Sequence, residues 1–201
     1  MSASGKNPGV SYGDNATNCA IRAYGEFVSP NTGIVNVNVI KDEDTATGKA
    51  IAADNNRTQI NGNFNTVGGM GTKGTINVGL NTADSYWIGN YINGAGWGVT
   101  PGDYGVVNLF MGNGAQWKGY SKFATNLKMD SGASWEGHSI NKAVSATIKN
   151  GATWYNNNTP EIGKDGLNTT LKALRGGASI AEAGFVDMTT EGVRDTSVDN
   201  Y

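Results

Sequence analysis

Asp130 and Glu136 flank the stretch SGASW, and the chain's one histidine, His138, follows two residues later. Two carboxyl groups held about 5–10 Å apart can hydrolyse a glycosidic bond. A histidine beside a serine or cysteine can drive nucleophilic catalysis. Neither arrangement is supported by its surroundings. The other acidic residues are scattered: Asp42, Glu43 and Asp44 share one loop, and Asp84, Asp103, Glu161 and Asp165 stand far apart. No G-x-S-x-G elbow accompanies His138. The expectation is a pair of solvated turn carboxylates, an exposed surface histidine and no catalytic residue.

Metal and cofactor chemistry fare no better. There is no D-x-D-x-D-G loop, no H-x-x-x-H pair and no G-G-x-G-x-D nonapeptide repeat. VGGMGTKG (67–74) is glycine-rich but lacks the K-[ST] ending of a phosphate loop, so it reads as a turn. Cys19 is the only cysteine, which excludes an internal disulfide and a cysteine-based zinc cluster. In NCAIRAY it reads as a buried structural thiol. No cofactor and no metal are expected.

What the sequence does repeat is a strand–turn–strand unit. NLFMGNGAQW (108–117), NLKMDSGASW (126–135) and SATIKNGATW (145–154) align on their tryptophans, which are spaced by 18 and 19 residues. Each unit has an apolar residue six positions before the tryptophan (Met111, Met129, Ile148). Glycine stands three before it (Gly114, Gly132, Gly151) and alanine two before it (Ala115, Ala133, Ala152). Alternation puts Leu127 and Met129 on one face of a strand, with Asn126 and Lys128 on the other. The Asn-Gly or Ser-Gly pair makes the bend. Ala133 and Trp135 then form a second inward pair. Such a unit cannot bury its inner face alone, and a fixed period near 20 marks a stacked array. The fold class expected is all-β, a parallel β-helix whose equivalent positions form internal ladders, with Trp117, Trp135 and Trp154 in the core.

Looser units precede these. TINVGLNTADSYW (75–87) keeps the alternation and the tryptophan. CAIRAYG (19–25) and KAIAADN (49–55) match each other as A-I-x-A, followed by IVNVNVI (34–40) and TQINGNF (58–64). The coils therefore run from about 18 to 30 residues, and KDEDTATG (41–48) is expected to bulge as a solvated loop. The organisation is an N-terminal extension over 1–14 and one β-helical segment over 15–201. That segment divides into a long-coil part (15–74), a tryptophan-repeat part (75–154) and C-terminal coils (155–201), where ASIAEAGFVDM (178–188) is read as strands.

Composition agrees. Valine and isoleucine total 26 against six leucines, with 30 glycines and 25 asparagines for turns. The net charge of −2 offers no basic face, so nucleic acid is not an expected partner. No apolar run is long enough to span a membrane, and MSASGK has no apolar h-region of a signal peptide.

The repeated NLxMxNGAxW-type units, GTINVGL followed by DSYW, and the closing RGGASIAEAGF and SVDNY resemble the passenger domains of bacterial type V autotransporters, adhesin-like members especially. The likeness covers roughly 15–201 and is sharpest over 75–154 and 167–201. It implies a right-handed parallel β-helix displayed on the outer surface of a Gram-negative-type envelope, or secreted after cleavage. It also implies a signal peptide before the passenger and a β-barrel translocator after it, both outside this sequence. The scarcity of cysteine suits passage through a narrow pore.

An adhesin binds through what projects from the stack. Thirty residues separate Trp87 from Trp117, so an insertion is expected around GNYINGAGWGVTPGDYG (89–105). Its aromatics Tyr86, Tyr91, Trp97 and Tyr104 are the candidate ligand-binding residues, for a host surface protein, a glycan or another passenger copy. The alternatives are a secreted β-helical polysaccharide lyase or hydrolase using Asp130 and Glu136, and a self-association module for cell–cell aggregation.

Overall fold

The computed structural model describes residues 2–4, 19–24, 33–42, 49–69, 73–97, 105–140, 142–156 and 171–187. The chain begins with β1 (Ser2–Ser4), β2 (Cys19–Tyr24), β3 (Ile34–Val37), β4 (Val39–Lys41), β5 (Ala50–Ala53) and β6 (Gln59–Asn61). It continues with β7 (Asn63–Gly69), β8 (Gly74–Leu80), β9 (Tyr86–Ile88), β10 (Tyr91–Trp97), β11 (Gly105–Met111) and β12 (Gln116–Lys118). The last six are β13 (Thr125–Met129), β14 (Ser134–Gly137), β15 (Val144–Ile148), β16 (Thr153–Asn156), β17 (Leu171–Arg175) and β18 (Phe185–Asp187). Among the described residues there is no α-helix, only a 3-10 turn at Ile180–Glu182.

The protein is all-β and its three main sheets are parallel. Sheet A orders β1-β6-β9-β12-β14-β16-β18, sheet B orders β10-β7-β2, and sheet C orders β17-β15-β13-β11-β8-β3. From β6 to β12 the chain visits A, B, C, A, B, C and A in turn. Beyond β12, sheet B shrinks to isolated bridges, Tyr91 to Ser121 and Ser121 to Ser139. This shortening explains the two spacings in the sequence. Between Trp87 and Trp117 the chain builds the whole of β10, whereas the units that end at Trp135 and Trp154 cross the third face on one bridging residue each, Ser121 and Ser139.

The expected insertion over 89–105 is therefore corrected in part. Tyr91–Trp97 is a sheet strand paired with β7, not a projecting loop; residues 98–104 lie outside the described ones. The equivalence of CAIRAYG and KAIAADN also fails. The first contributes β2 to sheet B, and the second forms β5, which pairs antiparallel with β4. Local similarity cannot tell them apart, because the difference is made by Asn38, whose positive φ of 51° turns the chain off sheet C. At the N-terminus, Ser2–Ser4 adds a strand to sheet A beside β6. The reading of 178–188 as strands holds for Phe185–Asp187 only, since Ile180–Glu182 is the 3-10 turn.

Register is set by the repeated residues. On sheet A, Ile60, Trp87, Trp117, Trp135, Trp154 and Val186 are successive partners. On sheet C, Leu80, Met111, Met129 and Ile148 align, as do Val78, Leu109, Leu127 and Ala146. All of these except Val186 are buried. Between the two sheets the chain turns at Asn113-Gly114, Ser131-Gly132 and Asn150-Gly151, where both residues of each pair have positive φ. The alanine that follows donates its N–H back to Gly112, Asp130 or Lys149 and closes the turn. Glycine meets that requirement without strain and asparagine tolerates it.

The four described tryptophan rings are stacked. Their centroids are 4.8, 4.8 and 5.1 Å apart with interplanar angles of 4°, 5° and 13°, and Phe64 stacks below Trp87. Each indole N–H also donates to a glycine carbonyl one layer back: Trp87 to Gly62, Trp117 to Gly89, Trp135 to Gly119 and Trp154 to Gly137, at 2.9–3.0 Å. Those glycines come from I-N-G, W-I-G, W-K-G and W-E-G. A buried N–H thus has a fixed acceptor, and a Cβ at Gly119 would collide with the Gly89 carbonyl oxygen. Outside sheet C a second ladder runs from Asn126 to Asn108 to Asn77 to Asn36, each side-chain amide donating to the next at 2.7–2.8 Å.

Urea unfolding of three variants tests this packing. Trp135→Phe keeps a ring but leaves the Gly119 carbonyl without its donor, and should lose about 1–3 kcal/mol. Trp135→Ala should lose about 3–5 kcal/mol. Gly119→Ala should cost at least as much as Trp135→Phe, because added volume and a φ of 148° act together. Equal stability of Trp135→Phe and wild type would remove the indole–carbonyl bond from the account.

Candidate functional site

The conformation of one residue, Asn38, creates a concavity on the outer side of sheet C. After Asn38 the chain leaves sheet C as the β4–β5 hairpin, and the Asn38 side-chain amide pins it by donating to Asp54 O (3.0 Å), Asn56 O (2.7 Å) and Gly79 O (3.0 Å). Gly79 must be glycine here, since a Cβ would meet Asn38 O and Ala53. The hairpin covers the outer face of sheet C at β8 and reaches the edge of β11. At the next strand the position in register with Gly79 is Phe110, followed along the sheet by Lys128, Thr147 and Arg175.

The step between hairpin and open sheet leaves a cleft of about 600 Å³. Ile51 and Ala52 form one wall, Phe110 the floor, and Lys128, Asp130 and Lys149 the opposite side. Phe110 is 8% exposed, with the Lys128 amine 5.3 Å from its ring centre. Asp130 sits on the turn after β13. It accepts hydrogen bonds from Asn150 (2.6 Å) and Ser131 (3.1 Å) and pairs with Lys149 (3.2 Å). Partial burial pushes its carboxyl upward, but the bonds from Asn150, Lys149 and Ser131 and the Lys149 charge outweigh that and hold it below the usual range.

That geometry separates the catalytic candidates. Glu136 lies on the outer face of sheet A, paired with Lys118 at 3.0 Å, whereas Asp130 lies on the turn beside the cleft. A carboxyl with a depressed pKa is ionised at neutral pH and has no proton to give as a general acid. His138 corrects the expectation of an exposed residue: it is 1% exposed and its ring stacks on Tyr120 at 5.1 Å. After Gly137 the chain crosses the third face at Ser139, so the histidine beside it is folded against the body of the protein. Cys19 is half-buried, and its thiol donates to Ile21 O at 3.1 Å. Burial pushes the thiol pKa up, against the opposing effects of the Arg22 charge and a backbone hydrogen bond at Ile21 that favours the thiolate.

The two aromatic candidates whose side chains are described, Tyr86 and Tyr91, do not share a surface. Tyr86 is half-buried on the outer face of sheet A, its hydroxyl accepting from Asn61 at 3.5 Å. Tyr91 is fully buried at the start of β10. Its hydroxyl shares a 2.5 Å hydrogen bond with Thr66, its ring tilts against Phe123, and burial drives its phenol pKa far above the ordinary value. Trp97 ends β10, and its side chain lies outside the described residues, as does the whole of Tyr104. The residues that do converge, Phe110, Lys128, Thr147 and Arg175, occupy the third position of NLFM, NLKM and SATI and the end of KALR. Alternation marks them as outward, but their lack of a common residue type hid the column. Among the described residues no three His, Cys, Asp or Glu side chains gather as a metal site.

Asp130→Asn tests the electrostatics. A depressed folded-state pKa contributes stability above the unfolded value of about 4, and that contribution is lost as pH falls through the folded value. Wild type should exceed Asp130→Asn in urea midpoint at pH near 7, and the gap should close below the usual carboxylate range. A gap that persists in acid would assign the effect to packing. Comparison of the chain with models of known families, with curated proteins and with solved structures finds no match.

Proposed function

We propose that the chain is a segment of right-handed parallel β-helix, with coils of about 18–30 residues, from the surface-displayed passenger of a type V autotransporter. In this reading it acts without enzymatic activity, as an adhesin or as its stalk, and its parent chain carries a β-barrel translocator elsewhere. The observation that carries the reading is the residue-by-residue register of Trp87, Trp117, Trp135 and Trp154 on sheet A. A single kind of residue recurs at four successive layers, so the interior there is given over to stacking and the outer faces and the hairpin are left for contact. The seven strands of sheet A, at about 4.8 Å per step, would make a stiff spacer roughly 30 Å long. Such a spacer presents a face in repeat, where linked weak contacts gain through effective concentration. The motifs NLxMxNGAxW and GTINVGL with DSYW support the passenger class, and partners would be a host surface protein or glycan.

A second reading, self-association, draws on the far end of the stack. There Phe185 is 57% exposed on the last strand of sheet A, and Ile180 is 96% exposed beside it. Apolar groups next to a strand edge favour contact with a second copy. The polysaccharide-degrading alternative is weakened by the separate ion pairs of Asp130 and Glu136.

Protease shaving of native cells, followed by blotting with an antibody to this chain, tests the display reading. The expected result is a protease-sensitive polypeptide far larger than 21.0 kDa that fractionates with the outer membrane. A protease-resistant soluble polypeptide of that mass would overturn it.

A further inference from the structure

Lys128 and Arg175 stand out on sheet C because the chain as a whole carries a net charge of −2. They occupy one outward column, with Thr147 between them in register. Among the described residues neither cation has a carboxylate partner; Lys128 has the Phe110 ring, and Arg175 is exposed. The one carboxylate of the cleft, Asp130, is neutralised by Lys149 at 3.2 Å and bonded by Asn150. Two strand steps separate the cations, about 9.6 Å along the stack.

We infer that this column, continuous with the cleft under the β4–β5 hairpin, binds a linear polysaccharide carrying an acidic group on alternate rings. The inference rests on the adhesin reading and names the ligand class for its binding face. The polysaccharide lies along the stack axis, across the strands, with one acidic ring at Lys128 against the Phe110 floor. Thr147 offers a hydroxyl to the intervening ring, and Arg175 receives the next acidic ring. The spacing decides between ligands. Acidic groups on alternate rings repeat at two ring lengths, close to the two-strand step. Alternate acidic side chains of an extended peptide repeat at about 6.8 Å and fall out of register with the cations. Arginine adds a planar fork that takes a carboxylate or sulfate through two parallel hydrogen bonds. The apolar wall at Ile51, 46% exposed beside Ala52, faces the less polar side of a sugar ring.

Calorimetric titration of the full 201-residue chain with a hyaluronan decasaccharide, which bears a uronate on alternate rings, tests the inference. Chitohexaose serves as the neutral control and poly-L-glutamate as the acidic peptide. Hyaluronan should bind, and affinity should fall about tenfold in the double variant Lys128→Gln, Arg175→Gln. It should also fall in about 0.5 M salt, as a charge contact must. Glu136→Gln, on sheet A, should bind as wild type does. Both cations are on the surface, so the double variant should keep the wild-type circular dichroism, and loss of that spectrum would move the comparison to the single variants Lys128→Gln and Arg175→Gln, each of which should bind hyaluronan several-fold more weakly than wild type. Absence of hyaluronan binding, equal binding by the double variant, or equal binding of chitohexaose would each overturn the inference. Poly-L-glutamate binding as tightly as hyaluronan would overturn it in favour of an acidic peptide. None of these results bears on surface display, which protease shaving tests by itself.

Discussion

The four tryptophan layers of this protein depend on the bond between an indole N–H and a glycine carbonyl one layer back. Stacking alone places Trp87, Trp117, Trp135 and Trp154 about a strand spacing apart, but it leaves each ring free to slide in its own plane. The hydrogen bonds to Gly62, Gly89, Gly119 and Gly137 remove that freedom and satisfy a donor that would otherwise be buried without a partner. Glycine is needed at these places because the strand turns outward there with little room beside the previous layer's backbone. Once the rings are locked, sheet A has one register, and the turn at Asn113, Ser131 or Asn150 transmits it to sheet C. The methionine and leucine columns then follow, as does the asparagine ladder on the outer side.

A core built this way leaves the outer surface beyond the asparagine ladder unconstrained. Positions that face inward repeat by type, whereas Phe110, Lys128, Thr147 and Arg175 share a column and nothing else. The hairpin exploits the same freedom. It enters at Asn38, covers β8 and the edge of β11, and demands one glycine, Gly79, below it. The cleft is the edge of that cover, so its wall and floor come from segments about sixty residues apart in the chain, Ile51 and Phe110.

The tryptophan core, the Asn/Ser-Gly turns and the parallel stacking were legible in residues 108–154 because there the period is short and the residue types repeat. The early part was harder to read for a physical reason. A unit that spends seven residues on sheet B and one that spends a single bridge there have the same core, so period alone cannot distinguish a longer strand from an insertion. Period alone puts Tyr91 in a projecting loop, whereas the structure makes it a core residue. His138 followed a general tendency of lone histidines and met a local corner that buries it. The glycine two residues after each tryptophan was visible in W-I-G, W-K-G and W-E-G, yet its role needs the layer above, which a linear reading does not supply. The column on sheet C was invisible for the opposite reason, having a position but no recurring type.

The end of the glycine series carries a further meaning. After Trp154 the motif reads W-Y-N, with Asn156 where glycine stood, and the next layer has Val186 in place of tryptophan. Acceptor and donor disappear together, one layer out of step. Each W-x-G unit therefore acts as a link with a plug at its tryptophan and a socket at its glycine, and in every bond between links the socket lies earlier in the chain than the plug. A copy of the unit inserted by tandem duplication would find both its neighbours already compatible. A chain emerging from its N-terminus into an unfolded-state environment would likewise find, at every new unit, the template laid down by the unit before, so the stack can grow vectorially from one end without waiting for the whole sequence.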